Sequence, residues 1–301
     1  MNLQRLQLLI ELRRLGTVTA VAEVKLITHS AVSQQLAQLE KEVGYPLLVK
    51  SGRGLRLTDR GQLLADNGEK IIKTVNEAEA ALADRTAVTG LLRIACFQTV
   101  LASLSAPIIQ ILNKRYPSLK VEFILADVVE GMKALEDNHV DLTIGEQFPG
   151  AAPVEHRASA RIERQDFYNE PLVLVSPDHG PWQWQADLSD MRDYPFMLDP
   201  AYTPAGKWER SICHDHGFSP HIIVESSAPL LQLQLVSQGM GVAFLPRLVL
   251  SDTTVGFRIN PLPDNPTRTL FSAVRAGTEN HPKITAFRLA LTTALEQAIK
   301  T

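Results

Sequence analysis

Three helical stretches of unequal length, set close together between residues 3 and 42, constrain this chain more than any other feature. Leu3, Leu6, Leu9, Ile10 and Leu12 recur at helical spacing over residues 3–15, and Gly16 stops that helix. Thr17 supplies an N-cap for a short second helix over residues 18–25, with Val21, Ala22 and Val24 available for a core. Leu26 and Ile27 fill a tight connection. Thr28 then caps a third helix, over about residues 29–42, that buries Val32, Leu36 and Leu39. Helix, short helix, turn, amphipathic helix is the helix-turn-helix plan. Gly44-Tyr45-Pro46 ends the third helix. Leu47–Lys50 and Leu55–Thr58 then flank the turn Ser51-Gly52-Arg53-Gly54, which predicts a small hairpin, the wing of a winged helix.

From Thr58 a long helix is predicted to about Arg85. Leu64, Ile71 and Ala78 recur every seven residues, and so do Gly68, Val75 and Leu82, forming a narrow seam between polar flanks. That seam predicts a partner helix, with Leu64, Ile71, Val75, Ala78 and Leu82 as dimerisation residues. The alternative is a helix that lies on its own domain. The predicted organisation is a DNA-binding head over residues 1–58, a linker helix over 59–86 and a third region over 87–301.

Beyond a hinge at Ala87–Gly90 the pattern changes. Strands are expected at Leu91–Phe97, Lys120–Leu125, Asp141–Gly145, Leu172–Ser176, Phe196–Asp199, Ile222–Ser226, Val242–Leu245 and Leu270–Arg275. Helices are expected at Leu101–Arg115, Val128–Asn138, Pro204–His216, Pro229–Gln238 and Ile284–Ile299. Alternation of this kind predicts α/β units with largely parallel sheets. With the last strand and helix returning to the first unit, one subdomain covers about 90–147 and 269–301 and the other about 160–265. The cleft between them suits a small ligand.

Charge separates the two halves. Residues 1–65 hold nine basic and five acidic side chains, a net of +4, and the remaining residues carry −7. A basic head on an acidic body points the head toward a polyanion. No apolar run approaches the roughly 20 residues of a membrane helix. Arg5, Glu11, Arg13 and Arg14 interrupt the N-terminal leucines, so no leader pattern is read and a cytoplasmic protein is expected. Two distant cysteines, Cys96 and Cys213, argue against a disulfide framework and a four-thiolate zinc site. Cys213-His214-Asp215-His216 reads as a solvated helix end, because four consecutive residues cannot all point at one ion from a helix. No metal or cofactor is expected.

Several segments carry a family resemblance: Gly16–Ala22, His29–Leu36, Leu39–Gly44, Pro46–Val49 and Leu57–Gly61, followed by Gly90–Ile94, Tyr116-Pro117, Val140–Ile144 and Gly239–Pro246. In this order they resemble the LysR-type transcription regulators over essentially the whole chain. The resemblance implies an α/β chain with a helix-rich winged helix-turn-helix and an effector domain of two α/β subdomains, similar in fold to periplasmic solute-binding proteins. It further implies a homodimer or homotetramer that binds promoter DNA, responds to a small-molecule effector and works with RNA polymerase. Rival readings are a ligand-independent DNA-binding repressor and an α/β enzyme, although no phosphate loop, nucleophile elbow or metal-ligand helix is found.

A recognition helix offers its N-terminal side chains to base edges in the major groove. The candidates are His29, Ser30, Ser33 and Gln34, with Gln35 and Gln38 further along. Gln34 can pair bidentately with adenine. The family more often shows Gln-Pro where His29-Ser30 stands and Arg where Gln34 stands, which leaves the base preference open. Thr17 and Thr28 mark helix starts that also accept phosphates. Lys50, Arg53 and Arg56 on the wing suit phosphate or minor-groove contact. By resemblance, the effector positions are Gln98, Thr99, Val100, Ala126, Asp127, Glu146, Tyr202, Thr203, Ser226 and Met240. Helix starts and hydroxyls suit a carboxylate. Asp127 and Glu146 disfavour a purely anionic effector, so an amino acid or a cationic group stands beside an organic acid as the expected effector.

Overall fold

Caps in the sequence fix the head. The computed structural model describes residues 1–51, 54–84, 88–152, 161–184, 187–250 and 255–300. Helix α1 (Leu3–Leu15) starts where the Asn2 side chain accepts from the Gln4 N–H at 2.8 Å and ends at Gly16 with φ 77°. Helix α2 (Val18–Lys25) is capped by Thr17, whose Oγ1 accepts the Ala20 N–H at 3.2 Å. Helix α3 (His29–Val43) is capped in the same way by Thr28 through the Ala31 N–H. Leu26 adopts φ 52° between α2 and α3, the left-handed residue that makes the connection tight. Leu6, Leu9, Leu12, Val21, Val32, Leu36 and Leu39 close one core. Strands β1 (Leu48–Ser51) and β2 (Gly54–Leu57) pair antiparallel as the wing.

Helix α4 (Asp59–Leu82) begins at Thr58, whose hydroxyl accepts the Gly61 N–H at 3.1 Å and donates to the Pro46 carbonyl. Much of the expected seam is used within the chain. A Cβ on Gly68 would lie 2.8 Å from Leu6 Cδ1, so α4 lies directly on α1. Leu64 and Ile71 pack on the head core. Val75 is half-buried, while Ala78 and Leu82 stay exposed. Leu64 and Ile71 thus pack on their own domain, the alternative the sequence offered, and both keep a partly exposed side.

The body is a nine-stranded arrangement in the order β4-β3-β5-β11-β6-β9-β7-β8, with β10 also paired to β6. The strands are β3 (Gly90–Cys96), β4 (Leu119–Leu125), β5 (Leu142–Gln147), β6 (Ile162–Pro177), β7 (Pro195–Leu198), β8 (His221–Glu225), β9 (Val242–Pro246), β10 (Phe257–Pro261) and β11 (Thr267–Arg275). The helices are α5 (Gln98–Arg115), α6 (Val128–Glu136), α7 (Pro204–Asp215), α8 (Pro229–Ser237) and α9 (Pro282–Lys300). Parallel pairing holds within β3, β4 and β5 and within β7, β8 and β9.

Between those groups every pairing is antiparallel, which corrects the expectation of largely parallel sheets. The cause is β6. Its first part, to Pro171, pairs with β11, and from Leu172 onward it pairs with β9, so one strand belongs to both subdomains. Only its second part, Leu172–Ser176, is an apolar run that reads as a strand; Glu163, Arg164, Gln165 and Asp166 hide the rest. Each subdomain closes its own cores: Leu92, Ile94, Leu104, Ile108 and Phe287 in the first, and Phe196, Trp208, Cys213 and Phe244 in the second.

Candidate DNA-binding face and ligand cleft

Helix α3 buries Val32, Leu36 and Leu39, which turns its other faces outward. His29, Ser30, Gln34 and Gln38 are exposed and Ser33 is half-buried. Ser30 Oγ lies 3.0 Å from Thr28 Oγ1, so this serine belongs to the helix cap as well. Gln35 is exposed as well, and its Oε1 accepts from Arg5 Nε at 2.7 Å, a bond that ties α3 to α1; Arg5 also pairs with Glu42. Thr17 and Thr28 spend their hydroxyls as helix caps. On the wing Lys50 and Arg56 are exposed, and Arg53 lies outside the described residues. Arg60, unremarked in the sequence, stacks over the Tyr45 ring at 4.1 Å and adds a fixed cation beside the wing.

Between the subdomains lies a cavity of about 590 Å³. The starts of α5, α6, α7 and α8 all border it. Asp127 caps α6 by accepting the Glu130 N–H at 2.8 Å, and Thr203 caps α7 through the Gly206 N–H at 3.0 Å. The starts of α5, at Phe97, and α8, at Ala228, carry no side-chain cap. Helix N-termini concentrate unsatisfied N–H groups and partial positive charge.

Seven of the ten expected effector residues border this cavity: Gln98, Thr99, Ala126, Asp127, Glu146, Tyr202 and Thr203. Three do not. Val100 is wholly buried in the first subdomain's core. Ser226 turns its hydroxyl to the Ala228 N–H at 3.2 Å and leaves the lining to Ser227. Met240 follows Gly239 in the turn before β9 and is displaced to the surface. Thr99 and Ser227, the neighbours of Val100 and Ser226, border the cavity instead.

The polar floor was not legible in sequence. Arg268 on β11 is buried; its Nε donates to Glu170 Oε2 at 2.8 Å and its Nη1 pairs with Glu146. Phe97 and Phe148 lie over the guanidinium at 5.0 and 5.8 Å. Burial pushes the Glu146 carboxyl up, and Arg268 offsets this only in part. Glu209, 2% exposed, accepts the Asp199 N–H at 2.7 Å, and burial with the neighbouring Asp199 charge holds its carboxyl well above the ordinary range. Burial also raises Asp199, against hydrogen bonds from Ser227 and Gln232. Cross-strand pairing sets Arg268 opposite Glu170, a long-range register that residue spacing does not announce.

The Cys213–His216 segment ends α7 as expected, with Cys213 buried and His214 and Asp215 exposed. Burial pushes the Cys96 and Cys213 thiols up to about 12. Among the described residues no three His, Cys, Asp or Glu side chains gather as a metal site. No helix among them is long and apolar enough to cross a membrane.

A helix-turn-helix head with a wing, carried on a two-lobed body with a ligand-sized cleft, defines a DNA-binding regulator that responds to small molecules. Comparison with known families agrees. Residues 3–62 match the model described as bacterial regulatory helix-turn-helix protein, lysR family, and residues 85–296 match the LysR substrate binding domain. The chain belongs to the LysR family of transcription regulators. Among its relatives, the HTH-type transcriptional regulator GltR of Bacillus subtilis (strain 168) is 26% identical over 83% of this chain and 81% of its own length. MetR of Escherichia coli (strain K12) is 24% identical over 95% and 88%. Among solved structures, the full-length C199D variant of OxyR from Pseudomonas aeruginosa superposes with a TM-score of 0.61 at 19% identity, covering 97% of this chain and 98% of that one. Full-length BenM gives 0.55 at 22% identity, covering 99% and 97%. The relatives are transcription regulators, not enzymes.

Proposed function

We propose that Ser30, Ser33, Gln34 and Gln38 of α3 read base edges in a promoter, with Lys50, Arg56 and Arg60 on the flanking phosphates. The cleft between the subdomains holds the effector, and the exposed part of α4 around Ala78 and Leu82 joins a second copy, so that the working unit is a homodimer or homotetramer in the cytoplasm that engages RNA polymerase. The carrying observation is the 590 Å³ cavity at four helix starts, within the usual size range of small-molecule sites. A cavity of this size favours a ligand-responsive regulator over a ligand-independent repressor.

Footprinting on the DNA upstream of its own gene, with and without the small-molecule extract of the producing cells, tests this reading. A protected site whose extent or affinity changes with the extract supports it. A protected site that never changes favours the ligand-independent repressor instead.

A further inference from the structure

Five carboxyl groups border the cleft, those of Asp127, Glu130, Glu146, Asp199 and Glu209, and Arg268 is the one cation among its described lining residues. That cation pairs with Glu146 and Glu170, while its Nη2 has no hydrogen-bond partner and can still meet an acceptor such as the carboxylate of an amino acid. A second observation is independent of charge. The Gln232 side chain is wholly buried; its Nε2 donates to the Ser226 carbonyl at 2.7 Å while its Oε1 has no donor. Reversing the amide would set two carbonyl oxygens against each other, so the free position is an acceptor. Gln98, also on the cavity wall, likewise has an Oε1 without a donor. Buried acceptors left without donors are costly, and a ligand that brings donors relieves them.

We propose that the cleft takes a ligand bearing a protonated amine on an apolar body, with the ammonium group against the Asp199 carboxyl and the Gln232 side-chain carbonyl. The proposal rests on the reading of this cleft as the effector site. An ammonium offers three donors and one positive charge, which match a carboxylate and an unpaired amide oxygen. Trp208, Phe148 and Phe244 supply the apolar wall. The two helix starts without side-chain caps leave room for a carboxylate as well. Both a simple amine and an amino acid therefore carry the required chemistry.

Binding of matched ligand series to the full-length protein tests this, read by thermal shift and titration calorimetry. The probes are straight-chain and phenylalkyl amines, the α-amino acids with the same bodies, and the corresponding carboxylic acids. Amines, amino acids or both should bind, and the acids should not. Binding by amines identifies a simple amine as sufficient; binding by amino acids alone identifies the amino acid. Asp199→Asn should weaken the amine-bearing ligand about tenfold or more, and Gln232→Leu should weaken it by a similar factor. Unchanged affinity in both variants overturns the placement. Binding by the acids alone overturns the ammonium proposal and leaves the cleft reading standing, whereas no binding by any series overturns both.

Discussion

Arg14 on the head's first helix pairs with Asp137, the residue that closes α6 in the body, across 123 positions of chain. The same guanidinium reaches Glu136 at 3.1 Å and Glu11 at 2.7 Å. Arg161 adds a second bond to Glu11 at 2.9 Å. The other end of α6, Asp127–Glu130, borders the ligand cavity. One nine-residue helix therefore touches the cleft at its start and the DNA-binding head at its end. If the proposed ligand shifts the first subdomain, this contact gives the shift a direct path to α1.

Removing Arg14 leaves Asp137 to Lys133, and Glu11 to Arg161 and Lys25. Losing one charge-assisted hydrogen-bond partner from such a cluster costs on the order of 1–3 kcal/mol. Arg14→Ala should lower the unfolding free energy by about that amount, and hydrogen exchange should rise at the end of α6 and along the body-facing side of α1. Unchanged exchange at α6 would show that the head is not held there.

The same contact predicts an acid response. Burial raises the Asp137 carboxyl, but the hydrogen bonds from Lys133 and Arg14 outweigh it and hold the group below its ordinary value. A carboxyl depressed in the folded state contributes stability above its unfolded pKa and loses it as pH falls through the folded one. Stability should thus decline below about pH 4, and Asp137→Asn should flatten that part of the urea-unfolding profile.

Glu209 has the opposite sign. Its carboxyl is raised in the folded state by burial and by Asp199, so its contribution is full at acid pH and lost as pH rises through the raised folded value. Glu209→Gln should remove that loss and make the protein more stable than the parent at neutral pH and above. Equal pH slopes for parent and variant in urea unfolding would contradict this.

Gly277 lies at φ 88°, and a Cβ there would sit 2.3 Å from the Lys73 carbonyl oxygen on α4. Asn76 Nδ2 donates to the neighbouring Ala276 carbonyl at 2.9 Å. Gly277→Ala should therefore force α4 away from the body and destabilise by roughly 1–3 kcal/mol from backbone strain alone. Chemical denaturation measures the loss, and a variant as stable as the parent would show that the approach is not tight.

The wing cations predict a salt effect. Lys50→Ala and Arg56→Ala should each weaken all DNA sequences alike and reduce the slope of log affinity against log salt by about one unit. A loss confined to one sequence would mean that the residue reads bases.

Local structure was legible because caps and apolar spacing act over a few residues. Thr17, Thr28 and Gly16 mark the head's helix ends within a residue of where they fall. Distant relationships were not legible. The polar first part of β6 pairs with β11 only because that strand, about 100 residues later, lies beside it. For the same reason Asp199, Glu209, Gln232 and Arg268, which shape the cleft's chemistry, carry no local signature. The α4 seam was ambiguous because Leu64 and Ile71 suit α1 of the same chain as well as a partner helix.

The most direct measurement is the affinity of the purified protein for its protected upstream site and for a scrambled duplex, across a salt series, for the parent and for Ser33→Ala/Gln34→Ala. If α3 reads the promoter, the double variant loses its preference for the site and keeps weak, salt-sensitive binding to both duplexes. A double variant that still prefers its site as strongly as the parent would contradict recognition through this helix.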